Sequence, residues 1–171
     1  MEGERLNIQY PPTIQDDARD PGTVPILRRY FAVLIPAHLL WEFAHMPLYQ
    51  LWYEDTWQQI AFAGLHCTGG DVLIAGSVLL AALVSVGRGW PRDPAAWRRV
   101  AMLTVILGLG YTIFSEWMNT ELREAWAYAP AMPVLPLIGT GLTPFLQWIV
   151  IPVAALWWAG RARNPDSLDE R

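Results

Sequence analysis

The chain has 171 residues, of which 53% are apolar and only 16% are charged, whereas a typical soluble domain carries about 25% charged residues. This composition excludes an ordinary soluble domain and predicts an integral membrane protein. The net charge of −4 excludes nucleic acid as a partner because no basic stripe could neutralise phosphates, and the single cysteine excludes an internal disulfide.

Four apolar segments predict an all-α membrane protein, a four-transmembrane-helix bundle. Residues 1–25 are polar and proline-rich and predict a poorly ordered tail; residues 26–160 hold the transmembrane domain, and residues 161–171 form a second tail. Each segment has roughly 20 mostly apolar residues, enough to cross a hydrocarbon core about 30 Å thick. The predicted spans are about 30–49, 60–86, 100–120 and 137–158.

Arginine placement predicts the orientation. Eleven of the twelve arginines fall in the two tails, the entry to the first span or the loop between spans two and three, and only Arg123 falls on the other side. The positive-inside rule therefore predicts that both termini are cytoplasmic. The small size, the absence of lysine and the lack of a signal segment lead us to expect a bacterial inner membrane.

The first span carries three ionisable groups on one face. His38, Glu42 and His45 are spaced i, i+4 and i+7, which places them within about 60° of one another around a helix. Ionisable groups at membrane depth cost several kcal/mol, so they normally face the bundle interior and mark a site. The first span therefore predicts a polar site inside the bundle.

The other spans carry polar residues at matching depths. They are His66, Cys67 and Asp71 on the second span, Thr112, Glu116, Asn119 and Thr120 on the third, and Thr140, Thr143 and Gln147 on the fourth. At about 1.5 Å of rise per residue, all lie in the outer halves of the spans, whereas the inner halves are apolar. This asymmetry predicts a polar pocket that opens outward. Asp71 fits least well, since it lies about 140° from His66 around its helix.

A metal site is the first functional hypothesis, with a membrane metalloenzyme as its catalytic form. Imidazole and carboxylate ligands suit zinc, iron or manganese, and sulfur with imidazole suits copper. In this hypothesis Glu42 is both a ligand and a catalytic residue, while Glu116 and Asn119 orient the ligands or handle protons. The candidate ligands are His38, Glu42, His45, His66, Cys67 and Asp71.

A metal-free lipid enzyme or lipophilic-ligand binder is the alternative. The string His38-Leu39-Leu40-Trp41-Glu42 resembles the His-x-x-x-Glu of the first helix of the emopamil-binding, sterol-isomerase-like membrane family (EXPERA domain), which is also a small bundle with tryptophan-rich walls. The resemblance covers five residues. It implies a proton-transfer pair, His38 and Glu42, facing a cavity that takes a lipophilic substrate.

Transport of a proton, a metal ion or a small solute is the third hypothesis. Chains of intramembrane carboxylates and histidines mark such pathways. The apolar inner halves of the spans offer no continuation of the polar ladder in a monomer, so a transport route would need a homo-oligomer. The lipid bilayer is the one partner common to all three hypotheses.

Overall fold

Four long helices form the described part of the chain. The structure, a computed structural model, describes residues 22–161. Its helices are α1 (Thr23–His45), α2 (Leu51–Glu54), α3 (Trp57–Val86), α4 (Pro94–Trp117) and α5 (Leu142–Gly160), with a 3-10 turn at Met46–Leu48 and a π turn at Met118–Leu122. All except the short α2 are long and apolar enough to cross a membrane. The predicted all-α four-helix membrane bundle is thus confirmed.

The helix ends differ from the predicted spans where local capping decides them. Helix α1 begins at Thr23, so the last residues of the predicted tail are helical, and the rest of both tails lies outside the described residues. Helix α4 begins earlier than predicted because Asp93 accepts hydrogen bonds from the backbone of Ala95 (2.9 Å) and Ala96 (3.2 Å), a strong helix start when proline follows. Helix α5 begins later than predicted, at Leu142.

The four long helices pack as a ring of antiparallel neighbours. Helix α1 packs on α3 and α5, and α4 packs on the same two helices from the opposite side. The start of α1, the α3–α4 loop and the end of α5 therefore share one end of the bundle, here called the arginine end. The other end, the loop end, is formed by residues 46–56 and 118–141. Which end faces the cytoplasm stays a prediction.

A buried stripe runs along each long helix, with one residue about every four positions on α1 and α4 and about two per turn on α5. On α1 the stripe reads Ile26, Tyr30, Leu34, His38, Glu42 and His45, and on α4 it reads Ala96, Val100, Thr104, Gly108, Thr112 and Glu116. Residues spaced i, i+3 and i+4 lie on one helix face. The polar side chains thus occupy the same face that packs apolar residues toward the arginine end.

Two glycines allow the helices to approach closely beside the polar half. A Cβ atom at Gly108 would lie 2.4 Å from the ring of Trp148, and one at Gly64 would lie 2.8 Å from the ring of Phe43. Neither separation is tolerated by real atoms, so both positions require glycine. The α4–α5 and α1–α3 contacts are therefore fixed at the level of the polar residues.

Residues 124–141 fold back over the loop end and are called the cap. Gln50 donates a backbone hydrogen bond to Ala127 (2.9 Å), and Ala129 donates one to Leu48 (2.9 Å). These bonds join the cap to the turn after α1. The cap then turns on itself and passes into α5, where Leu142 donates to the Pro133 carbonyl at 2.7 Å. The cap closes the bundle above the polar stripe.

Candidate functional site

Four side chains from three helices meet inside the bundle as a buried quartet: His38 and Glu42 of α1, Asp71 of α3 and Gln147 of α5. His38 Nδ1 lies 3.0 Å from Asp71 Oδ2. Gln147 Nε2 lies 2.8 Å from Glu42 Oε1, 2.9 Å from Asp71 Oδ2 and 2.9 Å from His38 Nδ1. His38 is fully buried and Gln147 is 2% exposed, whereas the Asp71 side chain is 14% exposed.

The contact between His38 and Asp71 requires a hydrogen from one of the two groups. The Gln147 amide has two hydrogens but three neighbours, and both are used if it donates to the two carboxylates. A carboxylate oxygen only accepts hydrogen bonds, so the contact between His38 and Asp71 also needs a hydrogen, on the imidazole or on the carboxyl group. Either the imidazole, protonated at Nδ1, donates to the carboxylate, or a protonated Asp71 carboxyl group donates to a bare Nδ1.

A second imidazole–carboxylate pair lies toward the loop end. His45 Nε2 is 3.3 Å from Glu42 Oε2, and the His45 ring packs edge-on against Tyr49 with centroids 5.3 Å apart. Within residues 22–161, His45 Nδ1 and His38 Nε2 are buried without a hydrogen-bond partner. The interior thus holds two such pairs, His38–Asp71 and His45–Glu42, bridged by Gln147.

The cap adds a third polar group. The Tyr128 hydroxyl donates a hydrogen bond to the Glu116 carboxylate of α4 and accepts one from the Gly141 backbone at 2.9 Å. Burial, and then the negative charge of Glu116, raise the pKa of the Tyr128 phenol. Burial likewise raises the pKa of Tyr49. Both phenols therefore stay neutral at physiological pH, and Tyr128 keeps its hydrogen for Glu116.

A cavity of about 300 Å³ lies between the quartet and the cap, at the lower end of the range for ligand pockets. Its lining residues are Glu42 and His45 of α1; His66, Cys67, Gly70, Asp71 and Ile74 of α3; Tyr111, Thr112, Ser115 and Glu116 of α4; Pro144, Gln147 and Trp148 of α5; and Tyr49, Met118, Asn119, Arg123 and Trp126 of the turns and loops. Both carboxylates of the quartet face this space, whereas His38 lies behind them.

Among the long helices, the exposed lining residues lie on α3 and α4, the two central helices of the chain. The lining residues of the α1–α5 wall are buried, but His66 is exposed and Tyr111 is 44% exposed. A Cβ atom at Gly70 would meet nothing within 4 Å. The exposed part of the lining that these three residues form is here called the slot. The slot faces the apolar outer surface of the bundle as well as the loop end. The sequence predicts an opening at the loop end alone.

The structure brings together some of the sequence-predicted residues and separates others. His38, Glu42 and Asp71 meet at Gln147, although the helical angle made Asp71 the least expected member. His66 instead turns to the exposed face and stacks on Phe62 at a centroid distance of 5.6 Å.

The remaining predicted residues lie around the quartet without joining it. Cys67 lines the cavity as a free thiol. Asn119 is buried and donates to the Ser115 carbonyl of its own helix at 2.8 Å. Thr143 donates to the Met132 sulfur at 3.4 Å. Glu116 faces the cavity from α4, one helix away from the quartet.

The donor geometry bears on the predicted metal site. Within residues 22–161, no three His, Cys, Asp or Glu side chains are grouped so that they could hold one ion. The space among His38, Glu42 and Asp71 is filled by the Gln147 amide nitrogen, which lies at 2.8–2.9 Å from all three. A metal ion at this point would need the amide to rotate away. The metal site stays a prediction.

Sequence reasoning missed the contributions of the loops. Tyr128, Trp126 and Arg123 lie in the segment that hydropathy identifies only as a connection between spans, and Tyr49 was placed at the end of the first span. No periodicity marks these residues, because their positions depend on how the cap folds back.

Comparison of the chain with protein-family models, curated proteins and solved structures finds no match.

Proposed function

We propose that this protein is a membrane isomerase that moves a proton, and with it a double bond, along a lipophilic substrate held in the cavity. The observation that carries the proposal is the 3.0 Å contact between His38 and Asp71, beside a second imidazole–carboxylate pair. Such paired acids and bases, in environments that differ, are the machinery of general acid–base catalysis.

The two carboxyl groups have matched positions and different partners. Asp71 is backed by His38 and Glu42 by His45, and both line the cavity while Gln147 holds them together. One carboxylate removes a proton from an allylic carbon as that C–H bond breaks, and the double bond shifts by one position. The other carboxyl group delivers a proton to the far carbon, so the product is an isomer of the substrate. Exchange with water restores the starting protonation.

The cavity opening indicates the class of substrate. The slot lies between two helices whose outer surfaces are apolar, with exposed side chains such as Leu73 and Leu107. A molecule dissolved in the bilayer reaches the slot without crossing the loop end. Desolvation inside the cavity strengthens each electrostatic interaction there, so the carboxylates act where water is scarce.

Deuterium incorporation tests the proposal. We expect the protein, reconstituted into vesicles of a bacterial total lipid extract in D₂O, to introduce deuterium into one lipid class, detected by mass spectrometry. Glu42→Gln and Asp71→Asn should each reduce the rate about 100-fold or more, in line with the loss of a general acid or base.

Thr104→Val is the matched control, because Thr104 is equally buried on α4 but bonds only to its own helix, at the Val100 carbonyl (2.8 Å). Incorporation that is absent with the wild-type protein, or unchanged in both carboxyl variants, contradicts the isomerase.

A metal-binding protein is the second candidate. The observation in its favour is the pair of buried ring nitrogens, His38 Nε2 and His45 Nδ1, that have no partner in the described part of the chain; a free imidazole nitrogen is a ligand for first-row metals. Elemental analysis of the purified protein tests it. Stoichiometric metal that is lost in His45→Gln and kept in Thr104→Val favours this candidate, and metal-free protein that still incorporates deuterium excludes it.

A further inference from the structure

Arg123 is an exposed positive charge in the lining of the cavity. It follows the π turn, where its backbone donates to the Met118 carbonyl at 2.9 Å, and its side chain lines the cavity. Within residues 22–161 its guanidinium forms no ion pair or hydrogen bond. It is also the only cation of the loop end, since all other described arginines lie at the arginine end.

The acids that share the cavity already have partners. Glu42 is paired with His45, Asp71 with His38, and Glu116 accepts from Tyr128. None of these contacts involves Arg123. A guanidinium presents five donors and binds carboxylate or phosphate oxygens in a fork geometry, so the ligand group that completes this site is an anion.

The acids outside the cavity determine the direction from which an anion can arrive. Glu54, Asp55 and Glu124 border a separate surface depression, and Trp126 lies between that depression and the cavity because it lines both. A small anion in water meets this negative rim first. An anionic group carried by a lipid chain in the bilayer reaches Arg123 along the slot instead.

The slot is long enough for a chain. Tyr111 and Arg123 are separated by about 18 Å along α4 and the π turn that follows it, taking about 1.5 Å of rise per residue. A chain anchored at Arg123 therefore has both carboxylates of the quartet along its path, since Glu42 and Asp71 line the same cavity. The head group lies at the interface, and the reacting carbons lie beside the carboxylates.

We infer that the cavity binds a single-chain amphiphile with one anionic head group, a carboxylate or a phosphate, paired with Arg123. This inference names the substrate class of the proposed isomerase and rests on it for the reaction, while binding itself can be measured alone. The two candidate ligands share an unsaturated chain and a head group whose oxygens carry one or two negative charges.

Competition among three ligands with the same chain tests the inference. Oleate, oleyl phosphate and oleyl alcohol are titrated at pH 9 into the full chain in phosphatidylcholine nanodiscs, with binding followed by native mass spectrometry. We expect at least one of the two anions to bind about tenfold more tightly than the alcohol, as one charge-assisted hydrogen-bonded contact allows. The stronger anion identifies the head group as carboxylate or phosphate.

Three variants separate Arg123 from the general basic charge of the protein. Arg123→Gln should remove the preference for the anion, Arg123→Lys should keep part of it, and Arg88→Gln, an exposed arginine at the other end, should leave it unchanged. Equal binding of all three ligands by the wild-type protein, or an equal loss in Arg88→Gln, overturns the inference.

The two proposals fail separately. A wild-type protein that incorporates deuterium into a neutral lipid and shows no anion preference keeps the isomerase and overturns the anionic substrate. An anion preference that depends on Arg123, in a protein that incorporates no deuterium, establishes the binding site and removes the reaction. The three arginine variants change exposed residues, so they should not disturb the fold.

Discussion

In the two halves of the bundle interior, the same buried helix faces carry different kinds of side chain. Toward the arginine end, Leu34, Val100 and Ala155 fill it with apolar side chains that are fully buried. Toward the loop end, His38, Glu42, Glu116 and Gln147 occupy the same helix faces and are nearly as buried. The four helices evidently pack without polar contacts in one half, so packing does not explain the polar residues of the other. Since buried ionisable groups are costly in a membrane, their presence indicates function.

The first prediction has the largest expected effect, and it compares how much each half contributes to the free energy of unfolding. Leu34→Ala removes a fully buried side chain and should lower the free energy of unfolding by about 3 kcal/mol, because the cavity is not refilled. One helical turn away, the double variant His38→Leu/Asp71→Leu should cost less than this, since a buried polar pair can be replaced by apolar side chains with little loss when both partners are removed and Gln147 still donates to Glu42.

Unfolding by sodium dodecyl sulfate in mixed micelles measures both variants. A double variant as unstable as Leu34→Ala would break the comparison, because the polar half would then contribute to holding the helices together. Single substitution of His38 is a poorer experiment, since it leaves the Asp71 carboxylate without its partner.

The second prediction concerns the Gln147 bridge. Gln147→Met keeps the side-chain length but removes the amide that reaches Glu42, Asp71 and His38. Leaving two buried carboxylates without this donor should cost about 2 kcal/mol. Thr104→Val is again the matched control, and the same detergent titration serves. An unchanged stability of Gln147→Met would mean that the bridge is not formed.

The regular part of this comparison could be predicted from sequence. Hydropathy over about 20 residues identifies a span, and the helical period places His38, Glu42 and His45 on one face without any knowledge of the neighbours. Gln147 was placed at the same depth as His38 and Asp71 by counting residues from the ends of the spans. These inferences work because a helix has a fixed rise and a fixed angle per residue.

The irregular part could not be predicted, because it depends on tertiary contacts. The helical angle separates Asp71 from His66, and the residue that leaves the site is His66, which stacks on Phe62 at the exposed face. The Tyr128 contact with Glu116 joins a loop to a helix, and no local pattern specifies it. The exposure of the cavity lining at His66 and Tyr111 likewise depends on how α3 and α4 pack.

The third prediction uses two adjacent glycines of α3 to test the slot. Neither Gly69 nor Gly70 has an atom within 4 Å of a would-be Cβ, but only Gly70 lines the cavity. Gly70→Leu should therefore weaken oleate binding in nanodiscs about tenfold, or 1.4 kcal/mol, because the side chain fills the slot. Gly69→Leu has the same intrinsic effect on the helix and should bind normally. Equal binding by the two variants would place the ligand elsewhere.

The smallest expected effect lies at the cap. Tyr128→Phe removes the hydrogen bonds to Glu116 and to the Gly141 backbone and should cost about 1 kcal/mol of unfolding free energy. Its pH dependence distinguishes this contact from simple packing. The pKa of Tyr128 is raised in the folded protein, by burial first and then by Glu116, so the phenol ionises more readily in the unfolded chain.

The contribution of Tyr128 to stability is therefore fully present below its ordinary pKa of about 10 and is lost as the pH rises further. Detergent unfolding of the wild-type protein between pH 8 and about 11 should show this loss, and Tyr128→Phe should flatten it. A residual slope is expected from Tyr49, whose pKa burial also raises. A wild-type slope that Tyr128→Phe leaves intact would mean that the cap is held by its backbone bonds alone, so that the polar half ends at Glu116 rather than at the cap.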